Sequence, residues 1–325
     1  YRHYFMAHYD IFNGDADGIC ALIQLRLAEP RSSVLITGVK RDIKLLSKVA
    51  FAEGDTATVL DISMEKNQEA LRHALRDGVK VFYADHHRAG DIPEHKGLDA
   101  HINTASNTCT GLIVDYYLGG RYREWAIVAA FGDNMLAAAN EYCQQLGLSP
   151  EQTALLSRLG VVMNYNGYGN TEADLYYTPA ALYQVAVCYE SPFEFIAKET
   201  EVFNTLTTGY DDDMAKGITI KPDQESETAA MIALPDERWA RRVSGVLGNE
   251  LANRHPERAH AILTALPDKQ GHYQISIRAP KNNPAGADNL ASQFGGGGRK
   301  GAAGINDIAE KDLPVFWQAL ECTYA

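Results

Sequence analysis

The chain has 325 residues, more than the roughly 250–300 at which a single hydrophobic core stops growing, so we expect two domains. Its composition, 46% hydrophobic and 22% charged, is ordinary for a soluble globular protein, and no apolar run approaches the roughly 20 residues that a membrane-spanning helix needs. The formal net charge of −12 argues against binding along a long nucleic acid, because such proteins usually carry excess Lys and Arg.

The five cysteines lie far apart without any CxxC spacing, which argues against both a disulfide framework and a zinc site. A reducing, cytoplasmic setting is therefore expected. The first residues, Tyr1–Met6, lack the long apolar core of a signal peptide. We expect Met6 to be the natural first residue, with residues 1–5 as an addition to it.

Short apolar runs alternate with amphipathic stretches over residues 8–135. This alternation predicts a parallel sheet whose strands are joined by right-handed helical crossovers. Strands are predicted at 8–13, 33–39, 57–61 and 79–84. Helices are predicted near 18–29, 42–52, 65–77, 108–118 and 124–140.

The second half of the chain predicts a helical segment followed by a smaller α/β unit. Residues 149–206 are rich in Ala, Leu, Tyr and Val and predict helices, whereas 207–213 predict a hinge or linker. A further helix is predicted at 241–253, and a glycine-rich stretch occupies Gly295–Gly304. Strands are predicted at 217–221, 229–234, 259–266 and 273–278.

Acidic and imidazole side chains follow several of the apolar runs in the first half. The carboxyl ends of parallel strands share one edge of a sheet, where open α/β sheets bind ligands. A carboxylate in apolar surroundings is costly without a partner, so a buried cation is a natural companion for such groups. Together they predict a carboxylate-rich site for two metal ions. The residues concerned are Asp15, Asp17, Asp61, Asp85, His86, His87 and Asp133.

Several of these residues also have a purely structural alternative. An Asp before a helix is commonly an N-cap worth about 1 kcal/mol, which applies to Asp17 and to Asp61. Asp133 is alternatively an ordinary helix acid. The Asp15–Asp17 pair favours a metal, because side chains at i and i+2 of an extended chain share a face. The adjacent imidazoles after Asp85 have no comparable structural role.

Hard oxygen ligands mixed with imidazoles favour Mn²⁺ or Mg²⁺ over metals that prefer thiolates. Two such ions roughly 3.5–4 Å apart can stabilise an in-line displacement at phosphorus. Further cations are then needed for the non-reacting phosphate oxygens, and the second half of the chain offers Arg278, Arg299 and Lys300. The glycines before Arg299 expose backbone N–H groups that can approach an anion, although a glycine run is alternatively a flexible turn.

These motifs, in this order, resemble those of the DHH/DHHA1 phosphoesterases, which include RecJ-like nucleases, nano-RNases and cyclic-dinucleotide phosphodiesterases. The name-giving triplet stands at Asp85-His86-His87, and the first acidic motif is Asp15-Ala16-Asp17-Gly18. Asp61 and Asp133 match the second and fourth motifs. The DHHA1 signature is similar to Ser276-Ile277-Arg278 together with Gly295–Gly304. The resemblance covers residues 13–304, which is nearly the whole chain.

The resemblance implies an α/β enzyme of three parts. A parallel-sheet DHH metal domain would occupy residues 7–190, a helical connector and linker 191–215, and a smaller α/β DHHA1 substrate-binding domain 216–325. It also implies two Mn²⁺ ions, with Mg²⁺ as the alternative metal. Asp15 and Asp61 would bind one ion. The other would be bound by Asp17, Asp61, His86 and Asp133, so that Asp61 bridges the two.

The resemblance also assigns the substrate contacts. His87 would contact the scissile phosphate, and Asp85 would orient a neighbouring imidazole. The phosphates would further lie against the cations and backbone amides of the second domain. The residues concerned are Arg278, Gly296, Gly297, Gly298, Arg299 and Lys300.

Two positions depart from the pattern of the superfamily. Many relatives carry a metal-binding His or a further Asp ahead of the first Asp pair, where this chain has Asn13, so one metal site is expected to be weak. Many also place His after the glycines, where this chain has Arg299, whose forked positive charge suits a terminal phosphate. Nearby, Lys40, Arg41 and Lys44 either reach a base or phosphate or form the solvated start of a helix.

The resemblance and the net acidity favour a Mn²⁺-dependent phosphodiesterase that hydrolyses very short linear ribonucleotides, such as pGpG, to mononucleotides. The enzymatic alternatives are a phosphatase for 3′,5′-bisphosphates such as pAp and a cyclic-dinucleotide phosphodiesterase. A non-catalytic nucleotide sensor is the alternative of a different class. We expect neither a long nucleic acid nor a membrane as a partner, and a homodimer remains open.

Overall fold

The computed structural model describes residues 6–325, so the expected addition at residues 1–5 lies outside the described residues. The chain divides into two compact units, with the boundary between Thr207 and Thr208. The functional division into 7–190, 191–215 and 216–325 stays a prediction. Within the described chain, no helix combines the length and the apolar character that crossing a membrane requires.

The first unit is built on a parallel sheet, as the alternation of apolar runs predicted. Its strand order is β2-β1-β3-β4-β5 over the described residues, and each neighbouring pair runs in parallel. The first four strands confirm the predicted ones, whereas the edge strand β5 was not predicted, although Leu98, Ala100 and Ile102 alternate with polar residues. The strands are β1 (His8–Phe12), β2 (Val34–Ile36), β3 (Thr56–Leu60), β4 (Lys80–Asp85) and β5 (Leu98–Ile102).

Helices cover both faces of this sheet and continue beyond it. Three of them begin with a Ser or Thr cap followed by Pro at the first helical position, a combination that satisfies a free N–H and presets the backbone. The helices are α1 (Ala16–Ala28), α2 (Met64–Arg76), α3 (Thr110–Tyr117), α4 (Arg123–Gly132), α5 (Leu136–Gln145), α6 (Pro150–Asn166), α7 (Pro179–Ala186), α8 (Pro192–Lys198) and α9 (Thr200–Thr219).

Close contact among α1, α4 and α6 brings the end of α4 beside the start of α1. Gly132 makes this possible, because a Cβ there would lie 2.5 Å from Ala16 Cβ and 2.9 Å from the carbonyl oxygen of Gly160. Any larger side chain would force these helices apart. The packing therefore sets the position of Asp133, the next residue after α4.

The predicted helix at 42–52 is wrong. The segment is a loop with a single 3₁₀ turn at Leu46–Lys48. Asn67 of α2 holds the loop, because its side-chain oxygen accepts from Leu46 N at 3.3 Å and its side-chain nitrogen donates to the Ile43 carbonyl at 2.7 Å. The apolar spacing that suggested a helix arises because Leu45 and Leu46 are buried in the core beneath the loop.

The predicted helix at 124–140 is two helices, α4 and α5. The break falls at Asp133 and Asn134, where Asn134 takes a left-handed φ of 62°. Asn tolerates this conformation better than most residues with a Cβ. Asp133 is consequently a helix-end residue and not the mid-helix acid that the continuous pattern indicated.

The second unit is a mixed sheet with helices on its faces, in agreement with the predicted smaller α/β unit. Its order over the described residues is β10-β11-β9-β8-β7-β6, with β7 and β8 parallel and joined through α10. The strands are β6 (Gln224–Glu225), β7 (Ala229–Ala233), β8 (Ala259–Ala265), β9 (His272–Arg278), β10 (Gly297–Arg299) and β11 (Ala302–Ala309). The helices are α10 (Arg238–Arg254), α11 (Ala287–Gln293) and α12 (Leu313–Tyr324).

The strand predicted at 217–221 is wrong, because α9 runs through to Thr219. The segment 207–213, predicted as a hinge or linker, contains the boundary between the two units but is part of this helix. Asp213 is buried, and its carboxylate accepts from Arg242 Nε at 2.7 Å and from Arg242 Nη2 at 3.1 Å. A paired, buried carboxylate of this kind belongs to a packed helix and cannot be distinguished from a solvated one by sequence alone.

A buried ionic cluster ties β1 to α1 and β3. Arg26 donates to both oxygens of Asp10, at 2.5 and 2.9 Å, and to Thr58 Oγ1 at 2.9 Å. Ser33 Oγ donates to Asp10 at 2.6 Å, and His8 Nε2 lies 3.1 Å from the same carboxylate. Burial acts to raise the pKa of Asp10, but these hydrogen bonds outweigh it and hold the pKa at about 2.

The Asp10 carboxylate should therefore give the fold a measurable acid sensitivity. Its folded pKa lies below the ordinary value of 3.8, so its stabilising contribution is complete above that value and is lost as pH falls toward 2. We expect the difference in unfolding free energy between the wild type and Asp10→Asn to shrink by about 2 kcal/mol between pH 6 and pH 2. Urea unfolding across this range measures it.

The control is Asp77→Asn, which changes an exposed acid at the end of α2. The difference in unfolding free energy between Asp77→Asn and the wild type should show no comparable change with pH. If the difference in unfolding free energy between Asp10→Asn and the wild type stays constant from pH 6 to pH 2, the assignment of a lowered pKa to Asp10 is contradicted.

Candidate metal centre

The sheet edge at the carboxyl ends of β1, β3 and β4 gathers the predicted acidic and imidazole groups. His86, which follows β4, lies at the middle of this cluster. Its Nε2 is 3.5 Å from Asp61 Oδ1, 3.6 Å from Asp133 Oδ2 and 3.8 Å from Asp17 Oδ2. Four residues that are distant in sequence thus present metal-ligating atoms to one small volume.

Asp17 is fixed by the start of α3. Its Oδ1 accepts from the backbone N–H of Gly111 at 2.7 Å, and its Oδ2 accepts from the backbone N–H of Thr110 at 2.8 Å. The positive end of a helix favours a carboxylate in this position. Asp17 is thus not the N-cap of α1, which is Asp15.

Asp61 occupies a strained position directly after β3. Its φ of 60° is left-handed, which is uncommon for a residue with a Cβ and is typical of functional sites. The backbone N–H donates to the Ala84 carbonyl at 3.1 Å, and the side-chain oxygen accepts from Thr110 Oγ1 at 2.9 Å. Asp61 does not cap α2, whose N-cap position belongs to Ser63.

Asp85 is buried and holds His87. Asp85 Oδ1 lies 2.7 Å from His87 Nδ1, so a proton on Nδ1 joins the two and leaves Nε2 as the second functional nitrogen of the ring. Asp85 Oδ2 is buried and finds no hydrogen-bond partner within residues 6–325. Burial acts to lower the pKa of His87, but the hydrogen bond and charge of Asp85 and the charges of Asp17 and Asp133 raise it on balance.

The cluster carries more negative charge than the described residues offset. Burial, which is the largest cause, and the charges of Asp17 and Asp15 raise the pKa of Asp133 to about 7. Burial, again the largest cause, and the charges of neighbouring carboxylates raise the pKa of Asp61 well above its ordinary value. Carboxylates that repel one another in a buried site are stabilised by a cation. The electrostatics therefore favour a bound metal ion.

The geometry also suits a divalent cation. Two overlapping groups of ligand atoms, from Asp61, His86 and His87 and from Asp17, His86 and Asp133, each lie within 4.8 Å of one another. An octahedral ion with bonds of about 2.1 Å separates its ligands by roughly 3–4.2 Å, close to the 3.5–3.8 Å found around His86. Carboxylates with imidazole favour Mn²⁺ or Mg²⁺ over thiolate-binding metals.

Asn13 and Asp15 lie at the margin of this cluster. Asn13 Oδ1 accepts from Asp15 N at 3.2 Å, and Asn13 Nδ2 donates to the carbonyl of Lys40 at 3.0 Å. Asp15 Oδ1 accepts from the backbone N–H groups of Asp17 and Gly18, and Asp15 Oδ2 accepts from Lys40 Nζ at 2.5 Å. The roles of Asn13 and Asp15 as metal ligands stay predictions.

The predicted phosphate-binding residues belong to the second unit. Arg278 ends β9 and donates to Asn249 Oδ1 at 2.6 Å and to Ser276 Oγ at 3.0 Å. Arg299 ends β10 and is exposed, and Lys300 lies in the turn to β11. Their contact with substrate stays a prediction.

The glycines of the second unit form a tight hairpin and not the flexible turn that was the alternative. Gly297 and Gly298 pair with Gly304 and Ala303 across β10 and β11. A Cβ at Gly296 would lie 2.2 Å from the Gly304 carbonyl oxygen, and one at Gly298 would lie 2.5 Å from Ala303 Cα. The close approach of the two strands therefore requires Gly296 and Gly298, whereas a Cβ at Gly297 would meet open space.

Sequence reasoning missed Thr110 and Gly111, whose backbone N–H groups orient Asp17. They lie more than ninety residues from Asp17 in the chain and carry no charge. A helix start after a polar loop was the available signal, and it does not reveal which distant carboxylate will accept its free N–H groups. The contact of Lys40 with Asp15 was also missed, because its partners Asp15 and Asn164 lie 25 and 124 residues away in the chain.

Comparisons with known proteins bear on the fold. No family model and no curated protein matches the chain. Exonuclease RecJ bound to manganese aligns with a TM-score of 0.63 and 16% identity, over 97% of this chain and 89% of that one. RecJ from Thermus thermophilus in complex with Mn²⁺ aligns with a TM-score of 0.63 and 17% identity over 97% of this chain. The alignment covers 51% of that protein, so this chain spans about half of its length.

A third solved structure, the pGpG-specific phosphodiesterase PggH from Vibrio cholerae, has a length close to that of this chain. It aligns with a TM-score of 0.59 and 14% identity, over 98% of this chain and 99% of that one. At such identities the likeness establishes the fold. The chain therefore shares its fold with exonuclease RecJ and with PggH, in agreement with the α/β architecture that the motif order implied.

Proposed function

We propose that the chain is a Mn²⁺-dependent phosphodiesterase that hydrolyses very short linear ribonucleotides, such as pGpG, to mononucleotides. The observation that carries the proposal is the convergence of Asp17, Asp61 and Asp133 on His86 Nε2, beside an imidazole held by Asp85. The shared fold with manganese-bound RecJ and with a pGpG-specific phosphodiesterase supports it.

The residues of the cluster have separate tasks in this proposal. Asp17, Asp61, His86 and Asp133 would hold the divalent ion, which when bound supplies Lewis acidity toward a phosphoryl oxygen and toward water. Thr110 and the start of α3 keep two of these carboxylates in place before substrate arrives. Such preorganisation removes the cost of reorienting charged groups during the reaction.

His87 would act on the substrate phosphate. Because its Nδ1 is engaged by Asp85, its Nε2 is the nitrogen that can hydrogen-bond a phosphoryl oxygen. Water would add to phosphorus while the bond to the ribose 3′-oxygen breaks, and that oxygen would take up a proton. The products would be 5′-mononucleotides.

The preference for short substrates follows from charge. A net charge of −12 disfavours the many phosphate contacts that long nucleic acids require. A dinucleotide needs only a few local cations, for which we propose Arg278, Arg299 and Lys300 together with the backbone of Gly296, Gly297 and Gly298. The forked charge of Arg299 would bind the terminal 5′-phosphate.

The substrate test is Mn²⁺-dependent hydrolysis of 5′-phosphorylated RNAs of two to about ten nucleotides, with pAp and a cyclic dinucleotide assayed in parallel. We expect the dinucleotide to be hydrolysed with at least about tenfold higher kcat/KM than the longest RNA, because added phosphates gain no further cations. Equal turnover at all lengths would contradict the proposed length preference.

The parallel substrates separate the alternative functions. Hydrolysis of pAp alone would make the protein a 3′,5′-bisphosphate phosphatase. Hydrolysis of the cyclic dinucleotide alone would make it a cyclic-dinucleotide phosphodiesterase. Tight nucleotide binding without Mn²⁺-stimulated turnover would make it a sensor.

Asp61→Asn tests the metal centre with little disturbance of the backbone. Asn tolerates a left-handed φ as Asp does, and it keeps an oxygen for the hydrogen bond from Thr110, so the substitution removes mainly the charge. We expect Mn²⁺ affinity to fall by at least about tenfold and turnover to be lost. Titration calorimetry measures the affinity, and Asp77→Asn is the matched surface control. Unchanged Mn²⁺ affinity in Asp61→Asn would remove Asp61 from the ligand set.

Arg299→Gln tests the terminal phosphate contact. Loss of one charge-assisted hydrogen bond should raise KM for a 5′-phosphorylated dinucleotide by about tenfold. The same variant should handle a dinucleotide without the 5′-phosphate as the wild type does. Arg254→Gln, which changes an exposed Arg of the same unit, serves as the control. Equal KM values for wild type and Arg299→Gln would refute this role.

A further inference from the structure

Lys40 reaches from its loop into the metal centre. Its Nζ donates to Asp15 Oδ2 at 2.5 Å and to Asn164 Oδ1 at 2.9 Å, and it lies 5.8 Å from the centre of the Tyr168 ring. These partners come from two separate parts of the fold, the start of α1 and the end of α6. The ammonium group is therefore held on several sides and is not a solvated side chain at a helix start.

The backbone of Lys40 is fixed as firmly as its side chain. Its N–H donates to the Gly167 carbonyl at 2.8 Å, and its carbonyl accepts from Asn13 Nδ2 at 3.0 Å. The loop also packs against the start of the acidic motif, since a Cβ at Gly14 would lie 1.8 Å from the Gly38 carbonyl oxygen. The fold thus places Lys40 beside Asp15 through main-chain contacts on both of its sides.

Three donors already engage Asp15, whose carboxylate also lies within hydrogen-bonding reach of Asp61. One oxygen accepts two backbone N–H groups, and the other accepts the Lys40 ammonium. Asp15 also belongs to neither group of converging ligand atoms found within residues 6–325, unlike Asp17. A metal ion on the same oxygen as the ammonium would place like charges within about 4–5 Å, where they repel strongly in a partly buried site.

We propose that Lys40 supplies the positive charge beside Asp15 that a second metal ion would otherwise supply, so that the chain holds one divalent ion where the resemblance implied two. That ion would be bound by Asp17, His86 and Asp133 with Asp61. This inference rests on the metal centre of the proposed function. The inference also explains why an uncharged residue stands at position 13. The side-chain amide of Asn13 donates to the Lys40 carbonyl, and no charged metal ligand is needed there.

The test is the number of Mn²⁺ ions bound by the full chain, measured by equilibrium dialysis with metal analysis. We expect one tightly bound ion in the wild type and two in Lys40→Met, which keeps most of the length of the side chain without its charge. Lys40→Arg retains a cation and should bind one ion. Lys44→Met, which removes an exposed charge from the same loop, should also bind one.

Electron paramagnetic resonance supplies a second readout that does not depend on catalysis. An isolated Mn²⁺ gives a six-line spectrum, whereas two ions roughly 3.5–4 Å apart are magnetically coupled. We expect the isolated signal in the wild type and a coupled signal in Lys40→Met at saturating Mn²⁺.

Two tightly bound, coupled ions in the wild type would overturn the proposal, and this result does not require any variant to fold. One ion in a folded Lys40→Met would overturn it as well. A wild type that binds no Mn²⁺ would overturn both this inference and the proposed function. One ion in the wild type and two in Lys40→Met, without hydrolysis of any short ribonucleotide, would support the role of Lys40 and refute the proposed function alone.

Discussion

Mutual repulsion among buried carboxylates is the constraint on which the first unit depends. Asp15, Asp17, Asp61 and Asp85 are all buried at one edge of the sheet, and Asp133 lies beside them. In a medium of low polarity such charges destabilise the fold unless each is offset. The surrounding residues offset some of these negative charges more fully than others. A metal ion is needed beside the carboxylates whose charge is offset least.

The offsets differ in kind from one carboxylate to the next. Asp15 has the Lys40 ammonium, and Asp17 has two N–H groups at the start of α3. Asp61 accepts from the neutral hydroxyl of Thr110 and lies near the imidazoles of His86 and His87, and it is held in a left-handed backbone conformation. The deficit is therefore greatest around Asp61 and Asp133, the two carboxylates of this cluster whose pKa is raised. An added positive charge would therefore stabilise the fold most beside the side chains of His86 and His87.

The sequence predicted the elements that follow from local pattern. Short apolar runs identified β1 to β4, and the acidic and imidazole residues after them lie at one sheet edge because the carboxyl ends of parallel strands share that edge. It failed where tertiary contacts replace a local rule. Leu45 and Leu46 satisfied a helical spacing, yet the side chain of Asn67 holds their segment as a loop. The helices α11 and α12 were also not predicted.

By itself, then, the sequence determined the α/β class, the parallel direction of the strands in the first sheet and the identity of the clustered carboxylates and imidazoles. The tertiary structure alone decided which partner each carboxylate has. That choice depends on contacts between residues far apart in the chain, such as Asp17 with Gly111 and Lys40 with Asn164. Hydrogen bonds of this kind depend on where helices end and how closely they pack, and neither quantity is encoded by spacing along the chain.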